Sequence, residues 1–213
     1  MPAIDAATTI MELLRDSTSE LHKSAENSRL QKQLVNGDLP FDRYADYMEQ
    51  LWFVHRAIER ALASAEPRDG RLAGMADAAA MHVRHLENDL AEMGRDIGAI
   101  VPTEAALELT HAIERDAESP DPVLVAGHFY VLEGSMNGNS YIAKKVGTIY
   151  ELKPDAGLTY LYSYGRSQRR KWNAFKQAMN EHHFDKTERE GLVERARSVF
   201  HAIRAIADEL DAR

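Results

Sequence analysis

The sequence predicts an all-α protein, and three observations carry that expectation. Apolar residues recur at steps of three and four along almost the whole chain, and no run alternates with the period of two that a half-buried strand requires. Helix-start and helix-stop residues punctuate the apolar stretches. With 213 residues and 44% hydrophobic content, one domain spanning 1–213 with a substantial core is expected. No repeat, low-complexity tract or linker divides it.

Taken in order, Ile10, Leu13, Leu14, Leu21 and Ala25 outline one face of a first helix that continues through "NSRLQKQLVNGDL". After "NGDLP", Phe41, Tyr44, Met48, Leu51, His55, Ile58 and Leu62 define a second. Leu72, Met75, Ala79, His82, Leu86, Leu90 and Met93 define a third. "VPTEAALEL" opens a fourth, with Thr103 placed to cap it. A fifth begins at "SPDPVL", where Asp121 can cap and Pro122 can take the first helical position. It runs to about Lys145, with Gly147 as a stop. A Tyr-rich piece (158–164) and the basic segment "GRSQRRKWNAFKQAMN" follow, the latter helical. "DKTERE" then holds a capping box, Thr187 with Glu190, ahead of a stripe through Leu192, Ala196, Val199, Ile203, Ile206 and Leu210. The count is seven or eight helices.

Composition excludes several classes. The net charge of -8 argues against nucleic acid, whose phosphates need a basic face. With no cysteine, disulfides, iron–sulfur clusters and thiolate heme ligation are impossible. The start, "MPAIDAATTIMELLRD", lacks the basic-then-apolar pattern of a signal peptide, and no 18-residue apolar stretch exists. A cytoplasmic protein with no membrane span is the expectation.

The feature that breaks the pattern is "GSMNGNS", residues 134–140. Two glycines, two serines and two asparagines cost an exposed helix roughly 4 kcal/mol relative to alanines, yet amphipathic sequence continues on both sides. Gly134 and Gly138 share a face, which suits close helix packing. Packing does not require Ser135, Asn137, Asn139 and Ser140 around them. Bare backbone with small polar side chains suits a helix that bends against a flat ligand and leaves room for ordered water.

A second feature is "ELHKSAEN". His22 and Glu26 lie four apart on one helical face. A carboxylate beside a ligating histidine fixes its tautomer and raises its basicity, although a surface hydrogen bond has the same spacing. Of the nine histidines, His55 and His82 fall in apolar stripes and read as partly buried core. His82 and His85 have metal spacing but no third ligand, so a zinc site is rejected. His182 and His183 sit at a helix end, where cations suit the dipole.

Together these pieces resemble the biliverdin-producing heme oxygenases, the bacterial members especially. "LLRDSTSELHKSAENSRLQKQLVNGDL" is similar to the family's proximal helix, with His22, Ala25 and Glu26 matching its His…Ala-Glu. "FYVLEGSMNG" is similar to the distal helix, whose glycine-rich stretch crosses the opposite heme face. The resemblance spans nearly the whole chain. It implies a heme-oxygenase-like multi-helix fold with heme between a proximal and a kinked distal helix.

Carried over by position, His22 is the axial iron ligand, Glu26 its hydrogen-bond partner, and Gly134 and Gly138 let the distal backbone approach heme. Arg15, two turns before His22, stands where the family often has a basic residue facing a propionate, and Tyr130 is a propionate or distal-edge contact. Two departures stand out. Ser135 replaces the aspartate that many members use to organise distal water, as in some bacterial members. Asn139 replaces a glycine or alanine. The resemblance further implies heme as both cofactor and substrate, O2 as co-substrate, and biliverdin, carbon monoxide and iron as products. Electrons come from a separate ferredoxin or reductase, for which Lys144, Lys145 or the 166–171 segment could form a basic dock. A heme carrier or sensor that keeps His22 without turning heme over, favoured by Asn139, is the main alternative. A helical scaffold without heme is another.

Overall fold

In the computed structural model, which describes residues 8–212, eight α-helices and short 3-10 turns account for the ordered elements, with no β-strand among the described residues. The helices are α1 (Ile10–Glu26), α2 (Arg29–Asn36), α3 (Phe41–Ala65), α4 (Met75–Glu92), α5 (Glu104–Glu118), α6 (Val125–Ile149), α7 (Gln168–Glu181) and α8 (Lys186–Asp211). Residues 1–7, where a signal-peptide pattern would begin, lie outside the described residues. No helix among them is long and apolar enough to cross a membrane.

Several boundaries differ from the sequence reading, each for a local reason. The expected first helix is two: Ser28 turns extended, and its Oγ accepts from Gln31 N to cap α2. Asp121 makes no side-chain cap, and Pro122 opens a 3-10 turn (Pro122–Leu124) that leads into α6. The capping box before α8 is Asp185 with Glu188, one turn fraction earlier than Thr187 with Glu190, because Asp185 is the last extended residue. Thr103 caps α5 as expected, accepting from Ala106 N.

Gly147 does not stop α6, which continues to Ile149. A Cβ there would lie 3.1 Å from Leu158 Cδ1 and 3.2 Å from the Leu152 carbonyl, so this glycine serves a close approach. α6 also passes unbroken through residues 134–140. Tertiary burial outweighs the low propensity of that stretch: every residue from Val125 to Glu133 is buried, and each large apolar side chain so placed contributes about 1.5–3 kcal/mol.

α8 is the central strut, packing on α1, α5 and α6, while α3 packs on α4 and α5. The tight α6–α8 crossing is made by glycines that the motif search passed over. A Cβ on Gly127 would meet the Leu192 carbonyl at 2.6 Å, and one on Gly191 would meet Leu124 Cδ2 at 2.6 Å. Beside this crossing, Asp116 of α5 accepts from His128 Nε2 (2.7 Å) and from Arg195 Nε and Nη2 (3.0 and 2.9 Å).

This buried triad makes stability depend on pH. Burial pushes Asp116 up, but its bonds from His128 and Arg195 win and hold its pKa at about 2. Burial lowers His128 despite the adjacent carboxylate, and it lowers His55 further, with His82 adding to the effect. All three groups bind protons more readily when unfolded. Their stabilisation is therefore present at neutral pH, and the histidine part fades as pH falls below about 6.5. The Asp116 part fades between about 4 and 2. Each histidine removes up to about 1.4 kcal/mol per pH unit over its range. The apoprotein should therefore melt several degrees lower at pH 5.5 than at pH 7.5, and His55→Gln/His128→Gln should flatten that slope. A melting temperature constant across this interval would refute the assignment.

Candidate functional site

α1 and α6 both lean on α8, and between them lies a cavity of about 730 Å³, within the range of small-molecule sites. All eight residues singled out from sequence line it: Arg15, His22 and Glu26 from α1, and Tyr130, Gly134, Ser135, Gly138 and Asn139 from α6. They arrive there because α1 turns one face to the core through Ile10, Leu13 and Leu14 and leaves the rest of that side over the cavity.

On the α1 wall, His22 Nδ1 lies 3.6 Å from Glu26 Oε2, an ion-pair neighbour just beyond hydrogen-bond length. The expected hydrogen bond is thus not closed, since both side chains are more than half exposed at the cavity rim. With Nδ1 turned to Glu26, Nε2 is the nitrogen left for a ligand. Phe200 of α8 holds the ring edge-on at 5.7 Å. Among the described residues no three His, Asp or Glu side chains gather as a metal-binding group.

On the α6 wall the two motif glycines do different work. A Cβ on Gly134 would lie 3.3 Å from the Trp172 ring, whereas one on Gly138 would meet nothing within 4 Å. Gly134 is a packing glycine; Gly138 faces open space. The polar side chains of the motif are turned back onto their own helix. Ser135 Oγ donates to the Leu132 carbonyl (2.7 Å), Asn137 Nδ2 to the Gly134 carbonyl (2.9 Å), and Asn139 Nδ2 to Met136 Sδ (3.4 Å). Such bonds to the preceding turn are how serine and asparagine tolerate a helix interior.

At the mouth, Arg15 Nε pairs with Asp16 (2.8 Å) and stays largely exposed. Tyr130 tilts against Trp172 of α7 at 6.0 Å. Sequence reasoning missed Trp172, Phe200, Arg204 and three buried tyrosines, Tyr44, Tyr47 and Tyr160, all lining the cavity. Arg204 came one position after Ile203 in the α8 stripe, and that adjacency was the available signal. The Tyr44 hydroxyl is buried with no partner among the described residues. By contrast, Arg166, Arg169, Arg170 and Lys171 are exposed and contribute nothing to the cavity lining.

Behind the α6 wall sits a buried polar cluster, and His55 and His82 are fully buried rather than partly so. His82 Nε2 lies 3.1 Å from Glu133 Oε2, which also accepts from the Tyr164 hydroxyl (3.0 Å). The Ser163 hydroxyl lies within 3.3 Å of His82 Nδ1 and 3.0 Å of His85 Nδ1. The i, i+3 spacing of His82 and His85 thus serves a shared serine.

A sequence profile of the family described as heme oxygenase matches residues 8–209. The chain belongs to the heme oxygenase family. The crystal structure of heme oxygenase-1 from the cyanobacterium Synechocystis, in complex with heme, superposes with a TM-score of 0.85 at 22% identity, covering 96% of this chain and 93% of that one. Heme oxygenase from Leptospira interrogans gives a TM-score of 0.82 at 20% identity, covering 95% and 100%. A TenA homologue from P. horikoshii also superposes, at 0.69 and 14% identity, covering 95% and 98%. The fold therefore extends beyond heme oxygenases. No curated protein matches the sequence.

Proposed function

We propose that this heme oxygenase family member is an active enzyme, cleaving heme oxidatively to biliverdin, carbon monoxide and free iron with O2 and externally supplied electrons. The observation that carries the proposal is the pairing of two walls across one cavity. His22, with Nδ1 facing Glu26, stands on one side; Gly138, where a Cβ would meet nothing within 4 Å, stands on the other. The shared fold carries no activity by itself, so the argument rests on these residues.

Bound heme would bring the oxygen-activating iron and the ring to be cleaved. The chain's own residues orient and enclose it. His22 Nε2 would ligate the iron, with Glu26 closing its 3.6 Å gap to Nδ1 and fixing the tautomer. Gly134 and Gly138 keep the opposite wall at backbone thickness, with the Ser135 hydroxyl and the Asn139 amide bonded to the preceding turn of α6. A bulky acid or base is thereby kept from the distal face. Arg15, Tyr130 and Arg204 are suited to the carboxylates at the mouth. The exposed Lys144, Lys145, Arg166, Arg169, Arg170 and Lys171 could dock an acidic ferredoxin or reductase, and we place the protein in the cytoplasm.

The test has two stages. Hemin titration should give one bound heme per chain, and a reductant supplied under O2 should then produce a verdin absorbance. Hemin binding without a verdin product would favour a carrier or sensor. Absent binding would leave a helical scaffold.

A further inference from the structure

Tyr160 lines the cavity while only 3% exposed. The hydroxyl hydrogen of Ser135 and one amide hydrogen each of Asn137 and Asn139 are spent on α6 itself. Tyr160 belongs to the turn segment after α6, where Asp89 clamps it. The Asp89 carboxylate accepts from the Thr159 and Tyr160 amides and from Thr159 Oγ1, each at 2.8 Å. The phenol oxygen lies 2.9 Å from His55 Nε2, with the rings edge-on at 5.3 Å. The side chains of Ser135 and Asn139 also face this hydroxyl.

The direction of the Tyr160–His55 bond follows from what lies behind it. His55 is fully buried and its Nδ1 has no partner. Burial keeps the ring neutral, so one nitrogen carries the single hydrogen. If Nδ1 carried it, a buried N–H would be orphaned. If Nε2 carries it, only a lone pair is left bare, which proteins tolerate better. The second tautomer is therefore assigned. His55 donates to the phenol oxygen, so the Tyr160 hydrogen is not spent on His55 and is available on the cavity side, where Ser135 and Asn139 lie beside the hydroxyl.

We infer that Tyr160 donates the distal hydrogen bond to a diatomic ligand held on bound heme, with His55 and Asp89 as positioning residues. This rests on the heme reading above.

Carbon monoxide on the reduced heme complex is the probe. A hydrogen bond to the ligand oxygen favours back-donation and lowers the C–O stretch seen in the infrared. Tyr160→Phe should raise that stretch, and His55→Phe should move it too. His55→Gln, which keeps an N–H toward the phenol, should restore the wild-type band. Tyr44→Phe should leave it in place. An unmoved band in Tyr160→Phe, or a rise in Tyr44→Phe, would overturn the inference. Should Tyr160→Phe not fold, the Ser135→Ala/Tyr44→Phe double variant decides. Sensitivity of its band to D2O supports Tyr160, and loss of that sensitivity overturns it. If the wild-type chain binds no hemin, the heme reading fails and this inference with it. If hemin binds and the bands fail as described, only the inference falls.

Discussion

Gly138→Leu is expected to leave the apoprotein as stable as before, or slightly more so, while sharply weakening hemin binding and biliverdin yield. A side chain at this position meets no atom within 4 Å, so leucine enters open space and improves local helix propensity by about 0.8 kcal/mol. The same side chain then stands in the volume a flat ligand would occupy. Forcing extra methylenes into a packed site costs about 1–3 kcal/mol, which is roughly 5- to 150-fold in affinity. Gly134→Leu is the contrasting control. Its Cβ alone would come within 3.3 Å of Trp172, so that variant should lose apoprotein stability. Thermal melts of both apoproteins, beside hemin titrations, separate the two roles. A Gly138→Leu apoprotein melting several degrees early, with normal hemin affinity, would sink the proposed ligand wall.

His22→Ala should have the largest effect on the heme complex and almost none on the fold. The side chain is 57% exposed, and the Phe200 ring packs edge-on against it. Exposed substitutions of this kind stay within about ±0.5 kcal/mol, and alanine is the best helix former. If His22 ligates iron, its loss should exceed the roughly 10- to 100-fold effect of deleting a ligand's hydrogen-bond partner. The axial nitrogen signature in electron paramagnetic resonance should vanish, verdin formation should stop, and added imidazole should restore part of the spectrum. An unchanged spectrum in His22→Ala would move the ligand to another histidine.

The two glycine variants also bear on how much of the site could be read in one dimension. The spacing of Gly134 and Gly138 marked a shared helix face, and both line one cavity with His22 and Glu26, more than 100 positions away in sequence. Spacing could not say that one of them packs on Trp172 while the other faces open space, because Trp172 reaches α6 only through the fold. Nor could it distinguish these from Gly127 and Gly191, which let α6 and α8 close on each other, the first against the Leu192 carbonyl and the second against the Leu124 side chain just before α6.

The linear sequence by itself determined what depends on neighbours a few residues apart. The all-α class follows from apolar steps of three and four, the Thr103 cap from one side chain reaching an amide three residues on, and the His22–Glu26 pairing from a single helical turn. Tertiary structure decided what depends on long-range burial. The 134–140 stretch stays helical because Val125–Glu133 is enclosed on every side. His55 is a neutral, fully buried donor to Tyr160 rather than a half-buried stripe residue, and Asp89 fixes that tyrosine from 71 positions away. Periodicity reports which face of a helix is apolar. Only the packed chain sets which polar groups lose water together, and those lost hydrations fix their partners, their tautomers and their direction toward the cavity.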